Sequence, residues 1–192
     1  MTFLIGRHIL LRPLENQDLE TLYKFRNSLS FINLCSVRRN TISIEEFKKE
    51  LEKDFERDRH IQFLIEHKKN NQVVGTIYSY NFNKADEYAF ITTYIDDQFQ
   101  NKGYGAEAFI LFLSYLFKTY SLYKVYTEVY EYNFPSLSAL QNTDFSEEGR
   151  FKKHKLFDGK RYDLIRFAIY RSSLDKIDGF LSRLNPKKKE GE

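Results

Sequence analysis

Three strand-like segments follow one another in the middle of the chain, with no helical pattern between them. They are rich in β-branched and aromatic residues and cover Ile61 to Glu66, Val73 to Phe82 and Glu87 to Ile95. Turn-forming stretches, Lys69 to Gln72 and Asn83 to Asp86, separate them. Consecutive strands of this kind indicate an antiparallel meander, which argues against a fold that alternates strand and helix throughout.

Helical and strand patterns surround this meander on both sides. A strand and two helices are predicted before it, and a helix, a strand, a short helix, a hairpin and a last helix after it. The predicted fold class is therefore α/β (α+β), with a central mixed, mostly antiparallel sheet of about seven strands flanked by helices. The segments behind this prediction are, in order, His8 to Leu14, Leu19 to Arg26, the helix opened by the capping-box pair Ser43 and Glu46, the helix after Gly103, Tyr123 to Tyr130, the helix capped by Asn133, the two strands flanking Asp158-Gly159, and Leu174 to Leu184.

Length and composition limit the class of protein further. The 192 residues suit one domain, predicted over residues 1–171, followed by a C-terminal helix and basic tail over residues 172–192. Cys35 is the only cysteine, which excludes an intrachain disulfide and a cysteine-based zinc site. The four histidines have no metal-ligand spacing, so we expect no metal.

The charge and hydropathy patterns indicate a cytoplasmic protein. No run approaches the roughly 20 apolar residues of a membrane helix, and Met1 to Ile5 lacks the charged start of a signal peptide. The net charge is only +3, and the basic stretch Pro186 to Lys189 is followed by Glu190 and Glu192. We therefore expect neither a nucleic-acid partner nor a membrane partner.

The segment Gln100 to Ala106 lies between the third strand, which ends near Ile95, and the helix that follows. Gly103 and Gly105 let the backbone turn tightly and approach a ligand closely. The first turn of a helix has free N–H groups and a partial positive charge, which together suit phosphate. The segment thus predicts a site for a phosphorylated cofactor, although two glycines can also form a simple strand-to-helix turn. A Walker loop and a three-glycine Rossmann fingerprint are both absent from it.

This segment and its neighbours resemble the GNAT acetyltransferases. The pyrophosphate-binding motif of that family, Gln/Arg-x-x-Gly-x-Gly/Ala, is matched by Gln100, Gly103 and Gly105. The strand that leads to Asn133 and the hairpin at Asp158-Gly159 are similar to the elements that follow the motif in the family. The resemblance covers nearly all of residues 7–171 and fits the branch of ribosomal-protein N-terminal and small-amine acetyltransferases.

The resemblance implies that the chain binds acetyl-CoA. The edge of the third strand is expected to pair with the pantetheine arm like an added strand. The motif's backbone N–H groups are expected to bind the pyrophosphate, and an asparagine side chain is expected to contact the arm. The expected cofactor-binding residues are Tyr94, Ile95, Gln100, Asn101, Lys102, Gly103, Tyr104, Gly105, Ala106 and Asn133.

The expected catalytic groups depart from the family pattern at one position. Many members have a tyrosine seven residues after the motif asparagine, where it can protonate the leaving thiolate, and this chain has Leu140. Ser136 lies on the same side of that helix and is a candidate donor, unless its hydroxyl bonds locally to backbone. Glu87 and Glu128 are candidate bases, or else surface charges. Related enzymes often have a carboxylate nearer position 90, which is Phe90 here.

The expected reaction is transfer of the acetyl group of acetyl-CoA to a primary amine by direct attack in a ternary complex. The amine could belong to a small molecule, an amino sugar or a protein N-terminus. The alternatives are a catalytically inactive acyl-CoA-binding module and a partner-binding protein without a cofactor. The last helix could pack on the domain or on a second subunit, as in a homodimer. Basic residues near the expected acceptor pocket favour an anionic acceptor over a polyamine, unless they form only a solvated face; they are Arg38, Arg39, Lys152, Lys153 and Lys155.

Overall fold

A computed structural model describes residues 3–35, 40–56 and 61–184, with residues 54–56 described by their backbone only. Within these residues, eight strands form one sheet that six helices flank. The strands are β1 (Leu4–Ile5), β2 (Ile9–Arg12), β3 (Ile61–His67), β4 (Gln72–Asn83), β5 (Tyr88–Ile95), β6 (Lys124–Tyr130), β7 (Ser146–Phe157) and β8 (Lys160–Tyr170). The helices are α1 (Leu19–Arg26), α2 (Leu29–Leu34), α3 (Ile44–Glu56), α4 (Tyr104–Thr119), α5 (Phe134–Gln141) and α6 (Leu174–Leu184).

The sheet confirms the predicted fold class. Its order is β1-β2-β3-β4-β5-β6-β8-β7, and each neighbouring pair is antiparallel except β5 and β6. The predicted meander is present, because β3, β4 and β5 pair in sequence. The sheet has eight strands instead of about seven, since the short β1 pairs with Leu10 and Leu11 at the edge.

The parallel pair β5 and β6 separates along its length. Their ladder consists of Tyr88 with Lys124, Ala89 with Val125, and Phe90 with Tyr126. Beyond this last pair, β5 continues to Ile95 and β6 to Tyr130 without pairing to each other. The two strands therefore form the walls of a cleft that opens toward the start of α4.

Helices pack on both faces of the sheet. Ala89 and Ile91 of β5 point to the face that α4 covers, and they lie in one buried cluster with Phe112 and Leu116. Tyr94 points to the opposite face, because successive side chains alternate along a strand. There it packs in a second cluster with residues of α1, α2 and α3.

The last helix packs on the domain. Ile177 of α6 is buried in the cluster beneath α4. Asp178 accepts hydrogen bonds from Ser114 Oγ and Lys118 Nζ, both at 2.8 Å. The apolar side of α6 is therefore at least partly covered within this chain, and the basic tail, residues 185–192, lies outside the described residues.

Several local sequence signals match the structure. The Ser43 N–H donates to Glu46 Oε2 at 3.0 Å and the Glu46 N–H to Ser43 Oγ at 3.2 Å, which is the predicted capping box. Asp158 and Gly159 both have positive φ, 47° and 72°, as a two-residue hairpin turn requires. The short helix α2 has no periodic signal in the sequence, because it has only six residues. The Ser28 cap and tertiary contacts stabilise it.

Candidate active site

The N-terminus of α4 presents free backbone N–H groups beside the end of β5. The Glu107 N–H donates the first helical hydrogen bond, to the Gly103 carbonyl at 3.0 Å. The N–H groups of Tyr104, Gly105 and Ala106 precede it and have no helical acceptor. The helix dipole adds a partial positive charge, so this end of α4 is suited to a phosphate group.

The two glycines of the loop serve different purposes. Gly103 is the N-cap of α4 and has a φ of 81°, a left-handed conformation that an L side chain strains. Gly105 instead provides space, because a Cβ there would lie 3.2 Å from Cγ1 of Ile95. Its missing side chain lets α4 begin close against the end of β5, where the cleft opens.

Polar side chains of the loop hold its shape. Gln100 Nε2 donates to the Ile95 carbonyl at 3.3 Å and to Asp97 Oδ1 at 2.7 Å. Lys102 Nζ donates to the Gln98 carbonyl at 3.1 Å and remains exposed, as does Asn101, whose φ is 60°. Gln100 therefore orders the turn, and Lys102 adds a cation close to the free N–H groups.

The backbone of β5 shows which residues face the cleft. The Asp96 N–H donates to Val74 of β4, so by alternation the backbone groups of Tyr94 also point to β4. Those of Thr93 and Ile95 point the other way, into the cleft. The Tyr94 side chain is on the opposite face of the sheet, with its hydroxyl bonded to Ser28 Oγ at 2.9 Å. The free edge expected near Tyr94 and Ile95 is thus formed by Thr93 and Ile95.

A hydroxyl on this wall has no hydrogen-bond partner. Thr93 Oγ1 is buried and unpaired, and it alone is so among the buried side-chain oxygens and nitrogens of the described residues. Such a group costs about 1–3 kcal/mol unless a ligand or water satisfies it. Thr93 shares its side of β5 with Ile95, which contacts the start of α4. The Thr93 hydroxyl therefore lies buried on the α4 side of β5, beside the part of this strand that β6 does not pair with.

The other wall carries the residues expected near the CoA sulfur. Asn133 caps α5, with its Oδ1 accepting from the Ser136 N–H at 3.4 Å. Leu140 is buried against Val129, Ile165 and Phe167, which explains why this position is apolar. Ser136 lies one helical turn before Leu140 and is partly buried.

The two candidate bases lie on opposite sides of the point where β5 and β6 separate. Glu87 is exposed in the turn before β5, at the closed end of the β5–β6 pair. Three residues of strand, or about 10 Å, separate it from Phe90, where β5 and β6 begin to separate, so Glu87 lies outside the cleft. Glu128 lies two residues beyond the last ladder pair, on the face opposite α4. Its Oε1 accepts from Nε and Nη2 of Arg166, at 2.9 and 2.6 Å.

Two supporting contacts were not anticipated from the sequence. The buried Glu107 in the first turn of α4 accepts from the His8 N–H at 3.0 Å, which fixes α4 to the edge of β2. Tyr132 donates its hydroxyl to the Asn33 carbonyl at 2.6 Å and joins α2 to the region of the β7–β8 hairpin. Both pairs are 99 residues apart, so no local pattern could reveal them.

A sheet that splits at a parallel pair, beside a glycine-started helix, is consistent with the family that the motif resembles. Residues 8–146 match the family model described as "Acetyltransferase (GNAT) domain". The chain belongs to the GNAT acetyltransferase family. Its cleft, its α4 N-terminus and the loop from Gln100 to Ala106 all lie within or on the border of the matched residues.

Individual GNAT relatives match almost the whole chain. An uncharacterized N-acetyltransferase of Bacillus subtilis, YokL, derived from prophage SPbeta, is 23% identical over 93% of this chain and 99% of its own length. Spermidine N(1)-acetyltransferase of Escherichia coli K12 is 26% identical over 84% of this chain and 85% of its own. The structure of spermidine N-acetyltransferase from Vibrio cholerae with CoA and spermine superposes with a TM-score of 0.80 at 22% identity, covering 87% of this chain and 98% of that one.

Other reactive groups stand apart from this site. The described residues contain no cluster of three or more His, Cys, Asp or Glu side chains that could hold a metal ion. Burial raises the pKa of the Cys35 thiol to about 12, so it remains a thiol at neutral pH. In the same part of the chain, no helix is long and apolar enough to cross a bilayer.

Proposed function

We propose that this GNAT protein transfers the acetyl group of acetyl-CoA to a primary amine. The observation that carries the proposal is the cleft that forms where β5 and β6 separate, beside the free N–H groups at the start of α4. Acetyl-CoA supplies an acetyl thioester that an amine can attack, with free CoA as the leaving group. The work left to the chain is to hold both substrates and to move two protons.

The chain offers a continuous set of contacts to acetyl-CoA. The N–H groups of Tyr104, Gly105 and Ala106, with Lys102 nearby, are suited to the pyrophosphate. The backbone edge at Thr93 and Ile95, which β6 does not pair with, is suited to the amides of the pantetheine arm, as in the addition of a strand, although the Ile95 carbonyl also accepts from Gln100. On the facing wall, Nδ2 of Asn133 is a donor that its capping bond leaves to the same arm.

We assign the two proton-transfer roles to groups on opposite sides of the cleft. An alkyl amine has a pKa of about 10.4 and must lose a proton before it attacks. Glu128 is the carboxylate at the base of the cleft and can receive that proton directly or through water. Ser136 is the hydroxyl proposed to protonate the CoA sulfur, in place of the tyrosine that Leu140 replaces. Glu87 is not proposed for either role, because it lies at the far end of β5.

Turnover tests this proposal against the inactive alternative. We expect acetyl-CoA to raise the melting temperature and free CoA thiol to accumulate only when an amine is added. The probes are a panel of primary amines that includes an amino sugar, a short peptide and spermidine. Binding of acetyl-CoA without release of CoA from any amine would support an acyl-CoA-binding module. The absence of both binding and release would overturn the proposal.

In the same assay, Ser136→Ala is expected to lower kcat by about 10²-fold, a typical contribution of a positioned proton donor. The affinity for acetyl-CoA should not change, because the capping bond to Asn133 uses the backbone N–H of residue 136 and survives in alanine. Measurements of kcat and of the acetyl-CoA affinity of the variant test the role of Ser136 as proton donor. An unaltered kcat would exclude Ser136 as the donor and leave that role to water.

Thr93→Val is expected to have opposite effects on the free protein and on cofactor binding. The free protein should melt at the same or a higher temperature, because an unsatisfied buried hydroxyl is removed. Acetyl-CoA should bind about 2- to 10-fold more weakly, the equivalent of one hydrogen bond of about 0.5–1.5 kcal/mol. Calorimetric titration of acetyl-CoA measures this, and Thr93→Ser, which keeps the hydroxyl, is the matched control. A lower melting temperature with unchanged affinity would contradict the assignment.

Two further properties are proposed with the activity. We propose a cytoplasmic location, supported by the single cysteine, which cannot form the intrachain disulfides that are common in secreted proteins. We also propose a homodimer whose interface lies outside the side of α6 that packs on α4 through Ile177 and Asp178. Cell fractionation tests the first, and light scattering of the purified protein, with α6 surface variants, tests the second.

A further inference from the structure

An aromatic patch covers the sheet at the base of the cleft, on the face opposite α4. It consists of Tyr80, Tyr88, Phe90 and Tyr126. The ring centroids of Phe90 and Tyr126 are 4.9 Å apart, those of Tyr80 and Phe90 5.4 Å, and those of Tyr88 and Tyr126 5.7 Å. Phe90 and Tyr126 are also the last ladder pair of β5 and β6, so the patch lies where the cleft begins.

The charges beside the aromatic patch are paired with one another. The Arg166 guanidinium lies 4.9 Å from the Phe90 ring centroid and 5.6 Å from that of Tyr126, and it donates both Nε and Nη2 to Glu128. Lys124 Nζ lies 4.7 Å from the Tyr126 centroid and donates to Glu148 at 2.9 Å. Each of these two carboxylates therefore already has a cationic partner.

The phenols of the patch do not add negative charge at neutral pH. Burial, together with the nearby Glu128 carboxylate, raises the pKa of Tyr80 to about 12. Tyr80 is accordingly a neutral ring with a hydroxyl donor. The surface that an acceptor meets here is aromatic and has its charges in neutralised pairs.

The position of the patch relates it to the acceptor rather than to acetyl-CoA. The free N–H groups that suit the pyrophosphate are at α4, on the other face of the sheet. A cofactor that enters from α4 fills the cleft from that side, and the amine must reach its base from the opposite face. That face is bordered by α2 and by the β7–β8 region, which Tyr132 and Asn33 connect.

We propose, on the basis of the acetyltransferase function above, that the acceptor is a small primary amine carried on an aromatic body, and that polyamines are poor acceptors. Phe90 itself is buried, and an aromatic body stacks on the partly exposed rings of Tyr88 and Tyr126, with its apolar area removed from water. A polyamine carries additional ammonium groups, and each would lie near Arg166, where the two neighbouring carboxylates, Glu128 and Glu148, are already paired with cations. Placing an ammonium group there without a partner is unfavourable.

The test compares 2-phenylethylamine with spermidine as acceptors in the CoA-release assay. For the unmodified protein we expect kcat/KM to be at least about tenfold higher for 2-phenylethylamine, the equivalent of about 1.4 kcal/mol. Arg166→Gln removes the positive charge and frees Glu128. This variant should shift the ratio of the two kcat/KM values toward spermidine by about tenfold or more.

The matched control is Arg183→Gln, which removes a second arginine stacked on a phenylalanine, at 5.9 Å from Phe180 on α6, and should leave the ratio unchanged. If Arg166→Gln does not fold, Tyr126→Leu serves instead and should lower kcat/KM for 2-phenylethylamine alone, because Tyr126 is a partly exposed ring of the patch. Equal or better use of spermidine by the unmodified protein would overturn the proposed acceptor class. So would a ratio that neither variant alters.

The outcomes separate this inference from the proposed function. If the protein acetylates spermidine and not 2-phenylethylamine, the acetyltransferase function is supported and the aromatic acceptor class is refuted. If acetyl-CoA neither binds nor reacts, both proposals fail together. If acetyl-CoA binds and no amine reacts, calorimetric titration of each amine into CoA-saturated protein tests the acceptor class. Tighter binding of 2-phenylethylamine would support the aromatic class, and tighter binding of spermidine would refute it.

Discussion

Gly105→Val is expected to abolish the stabilisation of the protein by acetyl-CoA. A ligand at about 100 times its dissociation constant adds about 2.7 kcal/mol, which for a domain of this size raises the melting temperature by about 5–10 °C. In the variant, Cβ would lie 3.2 Å from Ile95 Cγ1, with further methyl groups beyond it. These atoms push α4 away from β5 and obstruct the mouth of the cleft. Differential scanning fluorimetry of the variant, with and without acetyl-CoA, measures the loss.

Two other glycines provide controls. One tests backbone strain at a left-handed position, and the other tests the addition of a side chain to a helix. Gly159→Ala introduces the same left-handed strain as Gly103→Ala, since φ is 72° and 81° at the two positions, but it does so in the β7–β8 turn. Gly179→Ala adds a methyl group to α6 in open space and should stabilise it slightly. Both control variants should keep the full response to acetyl-CoA. A Gly105→Val protein that also kept it would contradict the phosphate site at α4.

Arg12→Leu is expected to lower the stability of the fold by about 3–5 kcal/mol, because it leaves buried carboxylates without their cation. Arg12 donates Nη1 and Nη2 to the two oxygens of Asp18, at 2.7 and 2.8 Å, and Nε to Glu66 at 2.6 Å. The side chains of Asp18 and Glu66 are only 6% and 14% exposed. Chemical denaturation at neutral pH measures the loss, which corresponds to a fall of roughly 6–20 °C in melting temperature.

A surface ion pair of the same chain provides the comparison. Lys24 and Glu20 are 2.8 Å apart on α1 but are 71% and 77% exposed, so Lys24→Ala should change stability by less than about 1 kcal/mol. A loss in Arg12→Leu no larger than that of Lys24→Ala would refute a structural role for the Arg12 network.

The cost of Arg12→Leu should also depend on pH. Burial alone would raise the pKa of Asp18, but its hydrogen bonds from Arg12 and from the Glu15 N–H outweigh burial and lower the pKa below its ordinary value of 3.8. A group with a depressed folded-state pKa stabilises the fold above its unfolded pKa, and this stabilisation is lost as the pH falls through the folded value. The difference between Arg12→Leu and the unmodified protein should therefore shrink below about pH 4. An equal difference at pH 7 and pH 3 would contradict this account.

The conformation of the glycine loop can be predicted from sequence, because its features are local. The loop that ends in Gly103 requires a left-handed residue at a helix start, and that requirement is visible in a few consecutive residues. The positions of Thr93 and Tyr94 were less clear. Alternation along a strand shows that neighbours point to opposite faces, but only the bond from Asp96 to Val74 shows which of them faces the cleft.

The positions of the candidate bases also could not be predicted from local sequence. Glu87 and Glu128 both flank the motif in sequence, and nothing nearby distinguishes them. The direction of β5 places Glu87 at the closed end of the cleft, and the pairing of β6 with β8 places Arg166 opposite Glu128. These relations depend on strand order and register, which involve residues 38 positions apart.

The sequence by itself determined the order and type of most elements, the caps at Ser43 and Asn133, the Asp158-Gly159 turn and the membership of the loop in a known motif, because each rests on interactions within about four residues. Only the tertiary structure decided where β5 and β6 separate, which backbone groups they leave unpaired to each other, and that the sheet face opposite α4 is aromatic with its charges in pairs. Those properties arise when distant segments pack together, since packing determines which polar groups find partners and which, like the Thr93 hydroxyl, are left without one.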